Sequence, residues 1–360
     1  MIPYFILIAL PLLVRLFRKE YRFKKGNKVL YETHTASIDL FMLTFFLLLA
    51  FRGLECGLDT NQYSHLFKEY SVQTISQLLN SYRHEFGYKV LNRLVGIVTT
   101  DYQMMLAVVA AICVYPLWYF YRRESDNQLL TIALFLTVAP YVMYFSGIRQ
   151  SVAMSLGIPA WYAAKNKKLW WFIAVVILAM QFHTSAFMLF LLYPLYQMKI
   201  TKKWLWFVVP CMIAVFAFRS VIFTFLFTML WQEYAITSAT GAVNVLILLV
   251  MFGLYSYIIP DEEKVDQDTA AMRNILLLSI VLQIFAMLHP LSMRMNYYFL
   301  MFVPILIPKI ASRSKKELPQ VAKLSVIVMT VYFMYYFINT VVTDDDPLGI
   351  FPYVAFWQNR

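Results

Sequence analysis

The feature that most constrains this chain is a succession of long apolar segments separated by short basic clusters. A bilayer crossing needs roughly 20 mostly apolar residues, and segments near that length recur along the whole sequence. Only 14% of the residues are charged and 61% are hydrophobic, whereas a soluble domain carries about 25% charged residues. The sequence therefore predicts an all-α polytopic integral membrane protein, with about twelve transmembrane helices in a single transmembrane domain over residues 1–360.

The distribution of basic residues predicts an orientation in the membrane. The net charge of +11 does not indicate a nucleic-acid partner, because the Lys and Arg clusters between apolar segments are topology signals. With both termini outside, 22 of the 31 Lys and Arg residues fall on inner segments, namely 15–28, 122–127, 165–168, 199–203, 260–273 and 309–323. The outer face then receives several ionisable side chains: Asp59, Glu85, Arg149, His183, Glu233, His289 and Arg294.

Some segments fit the crossing pattern less simply. Residues 52–100 form the longest polar stretch, and we expect an extended periplasmic or interfacial loop there. Residues 169–198 are long for one crossing and short for two, so they form either two crossings with His183 at the turn or one helix that buries His183. Residues 218–231 either span the membrane or re-enter it. The first apolar run, Ile2 to Val14, is interpreted as a retained span because it lacks a basic leader and a cleavage site.

The sequence shows no pattern typical of a metal or nucleotide site. Cys56, Cys113 and Cys211 are isolated, so neither a disulfide framework nor a zinc site is predicted. There is no Gly-rich phosphate loop, nucleotide fingerprint or Walker motif. We therefore expect no metal and no cofactor, and a lipid-borne substrate that enters from the bilayer rather than a soluble nucleotide donor.

Arg149 is the main candidate for binding an anion. It follows Ser146-Gly147, where the next helix is expected to start, and a helix N-terminus with an Arg makes a phosphate site. The guanidinium fork binds phosphate oxygens in pairs. Gln150 and Arg294 are predicted to belong to the same anion-binding site. The alternative for both arginines is an interfacial side chain that extends to lipid headgroups.

His183 and two carboxylates are the candidates for proton transfer. His183 could act as a general base, as a proton donor to a leaving phosphate or as a hydrogen-bond donor, and the alternative is a structural His. Asp59 and Glu85 could hydrogen-bond sugar hydroxyls or act as base, or they could be solvated loop charges. Tyrosines on the outer face could stack on sugar rings or belong to the aromatic belt of the interface; those assigned to glycan binding are Tyr63, Tyr297 and Tyr298. His289 is interpreted as a polar cap at a helix end.

Several motifs occur together in one order along the chain. They are Gly57-Leu58-Asp59-Thr60-Asn61-Gln62-Tyr63, Glu85-Phe86-Gly87-Tyr88, Ser146-Gly147-Ile148-Arg149-Gln150-Ser151-Val152-Ala153, His183-Thr184-Ser185-Ala186, and Arg294 before Tyr297-Tyr298-Phe299. This ordered set resembles the EpsG-like branch of the Wzy-type bacterial polysaccharide polymerases, which assemble O-antigen, capsule and exopolysaccharide.

The resemblance implies a GT-C-like, metal-independent membrane glycosyltransferase at the outer face of the bacterial inner membrane. Such an enzyme joins a growing glycan on undecaprenyl pyrophosphate to a new lipid-linked repeat unit and releases undecaprenyl pyrophosphate. A flippase and a chain-length regulator would be its protein partners. Arg149 and Arg294 would stabilise the leaving pyrophosphate, and His183, Asp59 or Glu85 would accept the proton of the attacking hydroxyl.

Other functions are compatible with the same residues. A ligase that moves a finished glycan to another acceptor needs the same pyrophosphate clamp. A transporter or flippase of a lipid-linked glycan would use the arginines as counter-ions, although such proteins usually show internal repeats and midplane charges. A membrane-bound acyltransferase would need a buried His reached from the cytoplasm, which the predicted topology disfavours.

Overall fold

The computed structural model describes residues 1–16, 22–25, 28–31, 36–138, 141–230, 241–343 and 348–358. Within these ranges the chain is helical except for one antiparallel hairpin, which pairs β1 (Arg22–Lys25) with β2 (Lys28–Tyr31). The hairpin lies in the first basic cluster, and the remaining described elements agree with the predicted helical fold. Glu233, which the sequence placed at the outer face, lies outside the described residues.

The helices of the first half of the chain, up to residue 180, differ widely in length. In chain order they are α1 (Ile2–Leu16), α2 (Ala36–Ala50), α3 (Thr60–Tyr70), α4 (Ile75–Asn80), α5 (Phe86–Val98), α6 (Tyr102–Glu124), α7 (Gln128–Thr137), α8 (Met143–Ser146), α9 (Ile148–Ser155), α10 (Gly157–Lys165) and α11 (Leu169–Met180). Residues 52–100 thus contain three helices, and their location at the membrane surface stays a prediction.

The later helices include two of the three long apolar ones. They are α12 (Leu192–Gln197), α13 (Leu205–Ala217), α14 (Arg219–Leu230), α15 (Ala242–Ile258), α16 (Gln267–Ala286), α17 (Pro290–Leu300), α18 (Val303–Ser312) and α19 (Pro319–Thr343), with short 3-10 helices at Thr184–Leu191, Lys202–Trp204 and Glu262–Lys264. The chain bends between α17 and α18, where Pro304 in the first turn of α18 cannot continue the hydrogen bonding of α17.

Three helices of the described ranges are long and apolar enough to cross a membrane: α6, α16 and α19. The number rises to five if each of two bent pairs is one span, namely α13 with α14 (74°) and α17 with α18 (47°). Five further apolar helices, α1, α2, α7, α11 and α15, have 10–17 residues. The protein is therefore a helical membrane protein, while the count of about twelve crossings and the path of 218–231 stay predictions.

Helix α6 connects two polar regions of the structure. Near its start, the Gln103 side chain donates to the backbone carbonyl of Ala50. At its end, the buried Glu124 carboxylate forms ion pairs with Lys309 (3.2 Å) and Lys165 (3.6 Å). With 23 residues at about 1.5 Å each, α6 separates these regions by about 34 Å.

The segment 169–198 folds back on itself. Phe172, near the start of α11, makes ring contacts with Phe190 (6.2 Å) and Tyr193 (5.2 Å) on the returning limb. Residues 181–183 form the turn, because Gln181 and Phe182 still bond backward into α11 while His183 is extended. His183 therefore lies at a turn and the single long helix is excluded, while the two membrane crossings stay a prediction.

Candidate active site

Arg149 lies at the second residue of α9, as the sequence predicted. Gly147 precedes the helix, and its carbonyl accepts the first helical hydrogen bond, from Ser151 N (2.9 Å). The Ser151 hydroxyl donates to the carbonyl of Met143 (3.0 Å) and ties α9 to α8. The start of α9 is therefore a rigid support for the guanidinium.

Gly57, in the loop before α3, packs closely against the segment that precedes Arg149. Gly57 has φ of +97°, and an added Cβ would lie 2.3 Å from the carbonyl oxygen of Phe145. Thr60 reaches the same oxygen with its hydroxyl (3.3 Å). The C-terminal segment also contacts Gly57, because the backbone N–H of Gly57 donates to the carbonyl of Gly349 (2.6 Å).

Glu85 forms an ion pair with Arg149, and the two side chains are only 17% and 24% exposed. Its second oxygen accepts hydrogen bonds from the backbone N–H (3.1 Å) and hydroxyl (3.3 Å) of Thr184. Burial favours the neutral form of Glu85, but the Arg149 charge and the backbone N–H groups outweigh it and lower the pKa. Glu85 is therefore an ionised anchor that joins Arg149 to the His183 turn.

Gly87 allows the Glu85 loop to approach that turn closely. A Cβ at Gly87 would lie 2.8 Å from the carbonyl oxygen of Gln181. The next residue, Tyr88, donates its backbone N–H to the same carbonyl (3.2 Å). A side chain at position 87 would push the carboxylate away from its partners.

His183 is a neutral imidazole with a fixed orientation. Its Nδ1 lies 2.7 Å from the Ser185 hydroxyl, which lies 3.0 Å from the Tyr298 hydroxyl. Burial lowers the pKa of His183 to about 4, with Glu85 opposing and Arg149 and Arg294 reinforcing the shift. Over the ordinary pH range the ring is therefore uncharged, and its Nε2 has no hydrogen-bond partner in the described part of the chain.

A hydrogen bond between Gln150 and Arg294 connects α9 with α17. The Gln150 amide donates to the Arg294 backbone carbonyl (2.7 Å), and its buried Oε1 has no partner among the described residues. The Arg294 side chain is exposed, and within the described ranges no carboxylate lies within ion-pair distance of it. Arg294 is thus an accessible cation, while Arg149 is already paired.

The remaining candidates lie in different surroundings. The Tyr63 side chain is buried against Tyr88 (5.7 Å between ring centroids) and close to the Arg149 guanidinium. Asp59 precedes α3 half-buried, and its carboxylate makes no hydrogen bond or ion pair with the residues described. Tyr298 is fully buried, Tyr297 partly, so their predicted role in glycan stacking stays a prediction.

His289 is the predicted polar cap. It precedes α17, and its Nδ1 accepts the backbone N–H of Leu291 (3.1 Å). A ring nitrogen engaged in this way satisfies a free N–H at the helix start.

Two residues of this site were missed in the sequence interpretation, Thr184 and Ser185. Both belong to the motif that begins at His183, and hydroxyl residues directly after a candidate base are the signal that could have found them.

No group of three His, Cys, Asp or Glu side chains in the described ranges could hold a metal ion.

The fold and the site define a class of protein: a helical membrane protein with a polar site. In this site the anchored Arg149, the accessible Arg294 and the neutral His183 lie close together. The EpsG family profile matches residues 37–355, a range that contains every residue of this site. The chain belongs to the EpsG family, which confirms the resemblance seen in the motifs and supports a polysaccharide-polymerase-like role. No curated protein and no solved structure matches the chain significantly.

Proposed function

We propose that this protein is a polysaccharide polymerase, a glycosyltransferase that joins oligosaccharide repeat units carried on undecaprenyl pyrophosphate. It would act at the periplasmic face of the bacterial inner membrane and release undecaprenyl pyrophosphate, with a flippase and a chain-length regulator as partners. The observation that supports this function best is the meeting of Arg149, Glu85, His183 and Arg294 from four distant segments. Two cations and a neutral base suit a reaction with an anionic leaving group.

The negative charge of the leaving group explains why two arginines would be needed at the site. As the bond between the anomeric carbon and the pyrophosphate oxygen breaks, negative charge develops on that oxygen. Arg294 is exposed and can contact the phosphates directly. Arg149, held by Glu85, stabilises the same charge from a fixed position, because a preorganised cation needs no rearrangement during the reaction.

His183 accounts for the proton. The attacking hydroxyl of the acceptor sugar forms the new bond to the anomeric carbon and transfers its proton to Nε2 of the neutral imidazole. Ser185 and Tyr298 fix the ring through Nδ1. A direct displacement of this kind inverts the anomeric carbon, and the imidazolium formed lies near the Glu85 carboxylate.

The test is the glycan profile of cells that depend on this protein for their polymer, carrying Arg149→Ala. We expect normal expression, loss of the polymer ladder and accumulation of lipid-linked single repeats at the outer face. Arg83→Ala is the matched control, because Arg83 lies on the same loop region, is 70% exposed and has only a weak pair with Glu69 (3.9 Å). An unchanged ladder would refute the role of Arg149, and repeats held inside the cell would indicate transport instead.

A further inference from the structure

A cavity lined in part by basic side chains lies beside the C-terminal part of α6. It is a groove of about 560 Å³ between α6 and α10, and its lining residues are Tyr115, Pro116, Tyr119, Arg123, Ile158, Pro159, Tyr162, Lys165 and Asn166. We call it the Arg123 groove. None of the residues proposed for glycan transfer lines this groove, so it requires a separate explanation.

The groove follows the axis of a helix that can cross the membrane. Tyr115, Tyr119 and Arg123 are spaced four residues apart and form one stripe of α6, which extends for about 12 Å. Ile158 and Tyr162 of α10 form the opposite wall, and the rings of Tyr119 and Tyr162 are 5.6 Å apart. The walls are apolar and aromatic toward the middle of the helix and basic at its end.

Arg123 is the cation of this groove that has no carboxylate partner. Its guanidinium donates to the Tyr119 hydroxyl (2.9 Å), and within the described part of the chain it makes no ion pair. The neighbouring Lys165 is already neutralised, because it pairs with Asp268 and Glu124. An anion in the groove would therefore meet an available guanidinium fork.

The other charges near the mouth of the groove add to this effect. Glu124 and Asp126, the carboxylates close to Arg123 in the chain, pair with Lys309 (3.2 Å) and Arg313 (2.8 Å). Asp39 of α2 pairs with Arg122 (3.6 Å). Lys167 and Lys168 follow α10 and are exposed, and no carboxylate of the described ranges pairs with them. The surroundings of Arg123 therefore carry an excess of positive charge.

We propose that the Arg123 groove binds one anionic phospholipid of the bilayer, with the phosphate on Arg123 and an acyl chain along Tyr115 and Ile158. Basic pockets between membrane helices bind anionic headgroups in this way. A soluble anion would use only the basic end, whereas the apolar wall along a candidate span matches a lipid chain. The groove also exceeds the volume that a phosphate group alone would fill.

The test is native mass spectrometry of the purified full chain, titrated with phosphatidylglycerol or with phosphatidylcholine. We expect one phosphatidylglycerol to bind more tightly than phosphatidylcholine, and Arg123→Gln to weaken it by about tenfold or more, because a charge-assisted hydrogen bond to phosphate is lost. Arg122→Gln is the matched control, since Arg122 pairs with Asp39 and lies over Trp118 (5.2 Å). Its affinity for phosphatidylglycerol should remain within about twofold of the parent.

Two further measurements make the test decisive. Arg123→Lys keeps the charge but not the fork and should bind with intermediate affinity, which also serves if Arg123→Gln does not fold. Inorganic phosphate should displace little of the bound phosphatidylglycerol. Equal affinity for the two lipids, an Arg123→Gln protein that binds like the parent, or full displacement by inorganic phosphate would each overturn the proposal.

Discussion

Glu85 and Arg149 are 64 residues apart in the chain and form an ion pair that is largely shielded from solvent. The same carboxylate accepts two hydrogen bonds from Thr184, so it links the early loop, the start of α9 and the turn after α11. An arginine in this arrangement has one orientation before any substrate arrives. The pair is therefore the feature on which the geometry of the site depends.

Replacing Glu85 by Gln should impair both stability and polymer formation. Arg149 would lose its counter-charge in a partly buried position, which we expect to cost about 1–2 kcal/mol of unfolding free energy. Thermal unfolding of the purified protein and the polymer ladder of cells measure the two effects. The control is Glu69→Gln, because Glu69 is 43% exposed and its pair with Arg83 is long (3.9 Å); equal effects at both positions would contradict the anchoring role.

His183→Gln should reduce polymerisation by about 100-fold or more, the usual contribution of a general base. The side chain is similar in size and keeps hydrogen bonding, so expression should be unchanged. Initial rates with purified protein and lipid-linked repeats measure the effect. A variant with more than about a third of the parent rate would remove His183 from the proton-transfer step.

The pH dependence should follow from the lowered pKa of His183. Because its pKa is about 4 in the folded protein and about 6.5 in an unfolded chain, the unfolded state binds the extra proton first. Stability contributed by His183 is therefore complete above about pH 6.5 and is lost as the pH falls toward 4. The rate should stay level between about pH 6 and 8 and decline near pH 4. A midpoint near pH 6.5 would show that the ring is not shielded.

Tyr298→Phe should lower the rate by about fivefold, because the Ser185 hydroxyl loses a hydrogen bond worth about 1 kcal/mol and holds the His183 ring less firmly. Tyr335→Phe is the control, since Tyr335 is 65% exposed and no hydrogen bond of its hydroxyl occurs among the described residues. Paired rate measurements distinguish the two. Equal losses would mean that the Tyr298 hydroxyl does not orient His183.

Gly57→Ala should destabilise the protein by more than about 2 kcal/mol, because it combines a positive φ with a Cβ only 2.3 Å from the Phe145 carbonyl oxygen. Gly241→Ala separates the two effects. Gly241 also has a positive φ (+75°), but a Cβ there meets no atom of the described residues within 4 Å, so only the strain of about 1 kcal/mol remains. Comparable melting temperatures of the two variants would contradict the close approach of residues 57 and 145.

The sequence alone was sufficient for the class of protein and for features that are local in the chain. The helical membrane character follows from apolar segment length, because backbone groups in lipid must be bonded internally. Arg149 was correctly predicted at a helix start because Gly147 interrupts the apolar segment before it. His289 was correctly interpreted as a cap, and the family was recognised from motifs that lie in order along the chain.

The tertiary structure decided which of these groups meet and in what protonation state. The sequence presented Glu85 as a loop carboxylate, a possible base, because its partners lie 64 and 99 residues away. His183 was left with two alternatives until the contact of Phe172 with Tyr193 showed the reversal of the chain. Local propensity determines helices and caps, whereas ion pairs and the burial that lowers the pKa of His183 depend on distant segments, which only the packed chain brings together.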